Sequence, residues 1–151
     1  MTTKMEPVRK ERVIPGTPEK AFELFTAGIS RWWPVTTHSV ECEAGTVVAF
    51  EGEVGGRLFE RSPTGTEHEW GKVSAWEAGK RVVVGWHPGR DGSTAQELEV
   101  CFDADEGGTK LTLEHRGFEV LGDRAEDVRD DYDDSWDEIL DKRYLAAATK
   151  N

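Results

Sequence analysis

Residues 123–148, near the end of the chain, constrain the fold most, because no other stretch is long enough to form a major helix. Apolar residues recur there at Val128, Tyr132, Trp136, Ile139, Leu140 and Tyr144, in steps of one, three and four, which draws one apolar stripe along a helix. Asp123 followed three residues later by Glu126 has the form of a helix start, where side chains satisfy free amides. At about 1.5 Å of rise per residue, such a helix is about 40 Å long and crosses the whole face of a small domain. Everything before it must supply the surface on which it lies.

That surface reads as a sheet preceded by a short helical region. A strand is expected over 9–14, ending at Pro15-Gly16. Thr17-Pro18 then forms an N-cap with proline at the first helical position; Ala21, Phe22, Leu24 and Phe25 are the buried side, and Gly28 ends the helix. A second short helical piece over 29–33 is stopped by Pro34. From 46 to 116 the chain consists of short β-branched and aromatic runs at about 46–53, 57–61, 68–76, 81–86, 94–102 and 109–116. Glycine, proline or acidic turns separate them, and such short connections favour antiparallel neighbours.

Alternation is clearest in the last three runs. Val82, Val84 and Trp86 share a face, as do Leu98, Val100 and Phe102, and Leu111, Leu113 and His115. The run 68–76 carries apolar residues on both parities, so its inner face is left open. Together these elements predict an α+β fold, in which a curved antiparallel sheet of about seven strands has two short helices after the first strand and the long C-terminal helix across its concave face. A gap between a curved sheet and a straight helix is a natural place for a small ligand.

With 151 residues, 36% of them hydrophobic, and 16 glycines, one domain spanning residues 1–151 can bury a core without metal or disulfides. Cys42 and Cys101 lie far apart without CxxC spacing and read as free thiols, and neither a signal-peptide core nor an apolar run of membrane-spanning length is present. A cytoplasmic monomer without a cofactor is the expectation. The net charge of −11 argues against nucleic acid and against anionic membranes. Eleven Asp and Glu lie between Glu119 and Asp141, against only Arg124 and Arg129. They form either a solvated helix face or a docking surface for a basic protein partner.

Several motifs, taken in order, resemble one known group. They are Arg31-Trp32-Trp33-Pro34, Val54-Gly55-Gly56-Arg57, Trp70-Gly71-Lys72-Val73 through Trp76-Glu77, and Arg81-Val82-Val83-Val84-Gly85-Trp86. The series continues with Gly107-Gly108-Thr109-Lys110-Leu111-Thr112-Leu113-Glu114-His115 and ends with Ser135-Trp136. Over nearly its whole length the chain resembles the START-like (SRPBCC, helix-grip) superfamily, and within it the bacterial proteins related to the activator of heat-shock protein ATPase. The resemblance implies a hydrophobic cavity between sheet and long helix. It also implies one of three roles: carriage of a hydrophobic or aromatic small molecule, chemistry of the cyclase, aromatase or hydrolase kind, or interaction with a chaperone. Eukaryotic activators carry a separate chaperone-binding domain for which this chain is too short, so the resemblance favours the chaperone role least.

Candidate site residues follow from the strand and helix faces. The aromatic set Trp32, Trp33, Phe50, Phe59, Trp70, Trp86 and Trp136, with Tyr132 and His115, is the expected cavity lining, although at least half of these aromatics should be ordinary core. Trp32 and Trp33 point about 100° apart on a helix, so either one enters the core while the other lines an opening, or both plug the core. His115, on the inner face after Leu111 and Leu113, is either a polar group whose protonation is tuned by burial or a satisfied structural histidine. His38, Glu41, Cys42 and Glu43 are close in sequence but match no closed zinc pattern, so no metal is expected. No phosphate loop, GxSxG turn or cysteine with a sequence-local base is present, and no catalytic residue can be named.

Overall fold

The computed structural model describes residues 6–87 and 95–149. The elements run β1 (Val8–Ile14), α1 (Pro18–Phe25), a 3-10 turn (Ile29–Arg31), β2 (Val47–Phe50), β3 (Arg57–Arg61), β4 (Glu67–Glu77), β5 (Arg81–Trp86), β6 (Gln96–Asp105) and β7 (Gly108–Arg116). A 3-10 segment (Phe118–Arg124) leads into α2 (Ala125–Glu138), a widened turn (Ile139–Tyr144) and α3 (Leu145–Thr149). The expected break at 88–92 and the expected strand start at residue 94 lie outside the described residues. The seven strands form one curved antiparallel sheet, ordered β1-β7-β6-β5-β4-β3-β2. Strands β2 to β7 are therefore a continuous meander, and β1 closes it by pairing with β7 from Val8↔His115 to Ile14↔Thr109.

The apolar stripe of the long helix meets the inner face of the sheet. Leu98, Val100, Phe102, Leu111 and Leu113 share one buried cluster with Trp136, Ile139, Leu140 and Tyr144, while Val128 and Tyr132 pack half-buried against it. Each such large side chain contributes roughly 1.5–3 kcal/mol by leaving water. Helix α1 covers the neighbouring part of the sheet, with Phe22 edge-on to Trp76 at 5.0 Å and to Phe102 at 5.5 Å. It starts as its sequence requires, with Thr17 Oγ1 accepting from the Lys20 amide at 3.3 Å and Pro18 in the first turn.

The long helix departs from its expected start. Asp123 and Glu126 form no cap: α2 begins at Ala125, after an Arg124 that makes no side-chain cap bond. Gly117, at φ 87°, turns the chain out of β7 and buries Phe118 against the His115 ring at 4.5 Å. The 3-10 segment that follows carries Asp123 within a helical turn, not in the extended geometry an N-cap needs. At its far end the helix widens, the Leu145 amide bonding to the Leu140 carbonyl, and there the Tyr144 hydroxyl donates to the Ala21 carbonyl at 2.7 Å. Among the described residues, no helix is long and apolar enough to cross a membrane.

The acidic face of α2 has an internal partner. Lys10 and Arg12 pair in register with Leu113 and Leu111, so they share the inner face and reach toward the helix. Lys10 Nζ lies 2.6 Å from Asp133 and 3.0 Å from Asp137, while Arg12 lies 2.7 Å from both Asp137 and Asp141. Three aspartates at steps of four thus run along one basic edge strand. Partial burial raises the Asp137 carboxyl, but its bonds from Lys10 and Arg12 more than offset this and hold it below the usual range.

Strand β4 shows why its inner face was left open. Its pairing with β3 steps from Leu58↔Gly71 to Phe59↔Glu69, and its pairing with β5 from Val73↔Val84 to Ala75↔Val83. Trp70 and Ser74 are therefore extra residues at two bulges, each of which shifts the alternation. The first bulge turns both Trp70 and Gly71 inward, and Gly71 leaves space that no side chain could occupy: a Cβ there would lie 1.9 Å from the Gly85 carbonyl oxygen. A Gly71→Ala substitution is expected to destabilise the protein by about 3 kcal/mol or more by forcing β4 and β5 apart, measured as a lowered urea midpoint.

Candidate functional site

Four tryptophans from four separate elements meet beneath the long helix. Trp33 follows the 3-10 turn, Trp70 sits on the β4 bulge, Trp86 ends β5, and Trp136 lies on α2. Ring centroids are 5.1 Å apart for Trp33 and Trp70, 5.6 Å for Trp70 and Trp86, and 5.8 Å from Trp136 to each of Trp33 and Trp86. These indoles, with Tyr132 and Ile139, form the apolar wall of a recess of about 190 Å³. The segment holding His38, Ser39 and Val40 closes one side, and Ser135 adds a hydroxyl from α2.

Each of the four indole N–H groups already has a protein acceptor. Trp33 donates to the His38 carbonyl at 2.7 Å, Trp70 to Glu60 Oε1 at 2.7 Å, Trp86 to the Tyr132 hydroxyl at 2.9 Å, and Trp136 to His115 Nδ1 at 3.1 Å. The indoles therefore present ring surface to the recess, with their donors turned to the protein.

The remaining candidates lie elsewhere. Trp32 is in the core between Phe25 and Tyr144, with its N–H on the Leu24 carbonyl at 2.8 Å. The two adjacent tryptophans therefore divide, Trp32 to the core and Trp33 to the opening. Phe50 packs half-buried against Trp76 at 6.0 Å. Phe59 pairs with Glu69 on the other face of the sheet, beneath the guanidinium groups of Arg57 and Arg61 at 4.1 and 5.7 Å. His115 is fully buried behind Trp136 and is not part of the recess wall.

The state of that histidine follows from its partners. An indole N–H can only donate, so Nδ1 accepts from Trp136, and Nε2 carries the proton toward Gln96 Oε1 at 3.2 Å. Burial pushes the imidazole pKa down to about 3, so the ring is neutral. With both nitrogens engaged, it cannot serve as a base toward a molecule in the recess.

Glu60 is a site residue that aromatic patterning in the sequence does not reveal. Its side chain is fully buried and accepts three hydrogen bonds, from Trp70 Nε1 at 2.7 Å, the Val40 amide at 2.6 Å and the Glu41 amide at 3.2 Å. It thereby ties the segment that closes the recess to the tryptophan at its floor, and Glu41 extends the tie to His68 at 3.0 Å. The signal was parity: Glu60 shares the inner face of β3 with Leu58, an unusual place for a carboxylate. The other residues of the possible metal group go different ways, His38 Nδ1 to Thr37 Oγ1 at 2.7 Å and Cys42 Sγ to the Ser39 carbonyl at 3.1 Å.

With this geometry in view, the comparisons have a specific meaning. Residues 15–146 match the family described as Activator of Hsp90 ATPase homolog 1-like protein. The chain belongs to this family. Among solved structures, protein MLL2253 from Mesorhizobium loti is similar with a TM-score of 0.70 and 19% identity, over 96% of this chain and 97% of that one. The Aha1 dimer from Colwellia psychrerythraea is similar with a TM-score of 0.63 and 19% identity, over 90% and 91% of the two chains. At such identities the likeness is one of fold. The anthrahydroquino-gamma-pyrone synthase Txn09 is 33% identical over 83% of this family member and 85% of its own chain, with a TM-score of 0.57. No functionally curated protein matches the sequence.

Two outcomes test the internal bonding of the site. Because the folded His115 pKa lies below the unfolded value near 6.5, the unfolded chain takes up a proton that the folded one refuses. The stability it contributes is present above pH 6.5 and is lost on the way down to about pH 3, with a slope of up to about 1.4 kcal/mol per pH unit. His115→Gln is expected to remove that slope between pH 6.5 and 5 in denaturant titrations. Glu60→Ala leaves buried donors unpaired and is expected to cost at least about 2 kcal/mol, with faster hydrogen exchange at the Val40 and Glu41 amides.

Proposed function

We propose that the protein binds a small aromatic molecule in the recess between the sheet and the long helix. The observation that carries this reading is the recess wall itself, in which four indoles and Tyr132 converge while their N–H groups bond within the protein. Such a wall offers stacking and edge-to-face surface to a ring and disfavours an ion. Membership of a family built on a ligand-binding fold supports the same reading.

A second reading, ring-closing chemistry in the same recess, draws support from the similarity to the pyrone synthase Txn09. It would work mainly by holding a reactive shape, since His115 is engaged on both nitrogens. The chaperone reading has less support, because three aspartates of the acidic helix already serve Lys10 and Arg12.

Ser135 lines the recess on a half-exposed helix position, so a larger residue there fills the space without disturbing the core. Titrating naphthalene-class ligands into the protein is expected to change its indole fluorescence, and Ser135→Trp to abolish that change while keeping the unfolding midpoint within a few degrees. Unchanged uptake by that variant would remove the recess as the binding site.

A further inference from the structure

We infer that His38 recognises a ring hydroxyl, so that the ligand of the recess is a one- or two-ring phenol seated with its hydroxyl toward the 38–40 segment. This rests on the recess reading above and adds the class of molecule and the group that selects it.

The size of the recess bounds the ring system. An apolar cavity of about 150 Å³ takes benzene. A recess of about 190 Å³ accommodates one ring or two fused rings, with their edge at the mouth.

Polar recognition in the lining falls to few groups. The four indole N–H donors are bonded within the protein, the Tyr132 hydroxyl already accepts from Trp86, and Ser39 Oγ donates to the Val35 carbonyl and accepts from the Cys42 amide. That leaves the Ser135 hydroxyl on the helix side and the His38 imidazole on the other. Of the histidines, only His38 lines the recess. Its Nδ1 is tied to Thr37, whose hydroxyl also lies 3.3 Å from the Pro34 carbonyl. Thr37 Oγ1 lies 2.7 Å from His38 Nδ1 and engages that nitrogen in either tautomer. Nε2 makes no hydrogen bond among the described residues. A phenolic O–H can both donate and accept, so it matches this nitrogen in either tautomer.

The segment that carries His38 is also fixed in place. Glu60 holds the amides of Val40 and Glu41, and the His38 carbonyl accepts from Trp33. The imidazole is therefore positioned before a ligand arrives, which lowers the ordering cost of forming the bond.

The test compares 2-naphthol with naphthalene by indole fluorescence and by chemical-shift titration. The wild type is expected to bind 2-naphthol about threefold to tenfold more tightly, the worth of one hydrogen bond. His38→Ala should bring the ratio of 2-naphthol to naphthalene affinity down to about one, whatever the loss of wall costs both compounds alike, and His38→Gln should restore part of the preference. Thermal unfolding of each variant separates loss of recognition from loss of fold. A preference that survives in His38→Ala overturns the assignment of His38, even though the recess still binds rings. Binding of neither compound to the wild type would instead remove the recess reading, and this inference with it.

Discussion

A buried indole must place its N–H on an acceptor, and the structure is arranged around four such requirements. Trp136 from the helix needs His115 on β7, Trp70 on the β4 bulge needs Glu60 on β3, Trp86 at the end of β5 needs Tyr132 on the helix, and Trp33 needs the His38 carbonyl. Every bond joins residues from different parts of the chain or closes a loop, so satisfying them together sets where the helix, the sheet and the 38–41 segment lie. An unmet donor at any of these points would cost about 1–3 kcal/mol, a large fraction of the stability of a small domain. The apolar character of the recess is a by-product of the same bonding, since donors turned toward protein acceptors leave ring surface facing the opening.

A second, electrostatic arrangement holds the other side of the helix. The inner face of an edge strand is a costly place for Lys10 and Arg12, and both escape by extending past Leu111 and Leu113 to the aspartates of α2. Pairs this exposed contribute about 0–1 kcal/mol each, so burial of the apolar stripe, not the ion pairs, supplies most of the stability. What the pairs add is alignment: aspartates at steps of four lie along one side of the helix and face the basic edge strand. The helix is thus aligned along one side by charge and seated along the other by indole bonding.

For the recess, this means that rigidity and apolar surface come from the same residues. The bulge that aims Trp70 inward depends on Gly71, and the loop that closes the recess depends on a carboxylate beneath it. Fold-level likeness within the family leaves the ligand open, because one fold carries many functions. The distinguishing features of this chain are therefore local: an imidazole in the lining and a recess of about 190 Å³.

The sequence by itself determined the element order, the antiparallel sheet and the stripe of the long helix, because periodicity is a local property that burial on one face imposes directly. Val82, Val84 and Trp86, or Leu98, Val100 and Phe102, declare their inward side within a single strand. It also carried enough ordered motifs for the family to be recognised. Only the tertiary structure decided the start of α2, which the chain enters through a 3-10 segment kinked at Gly122 with no cap from Asp123, and the inner face of β4, where two bulges break the regular alternation. It alone separated Trp33 from Trp32 and moved Phe59 to the opposite face. It alone engaged both nitrogens of His115, and it turned part of an acidic helix toward its own edge strand. Several of these outcomes depend on pairings far apart in the chain, such as Trp136 with His115 or Asp133 with Lys10, and no local pattern encodes such a pairing.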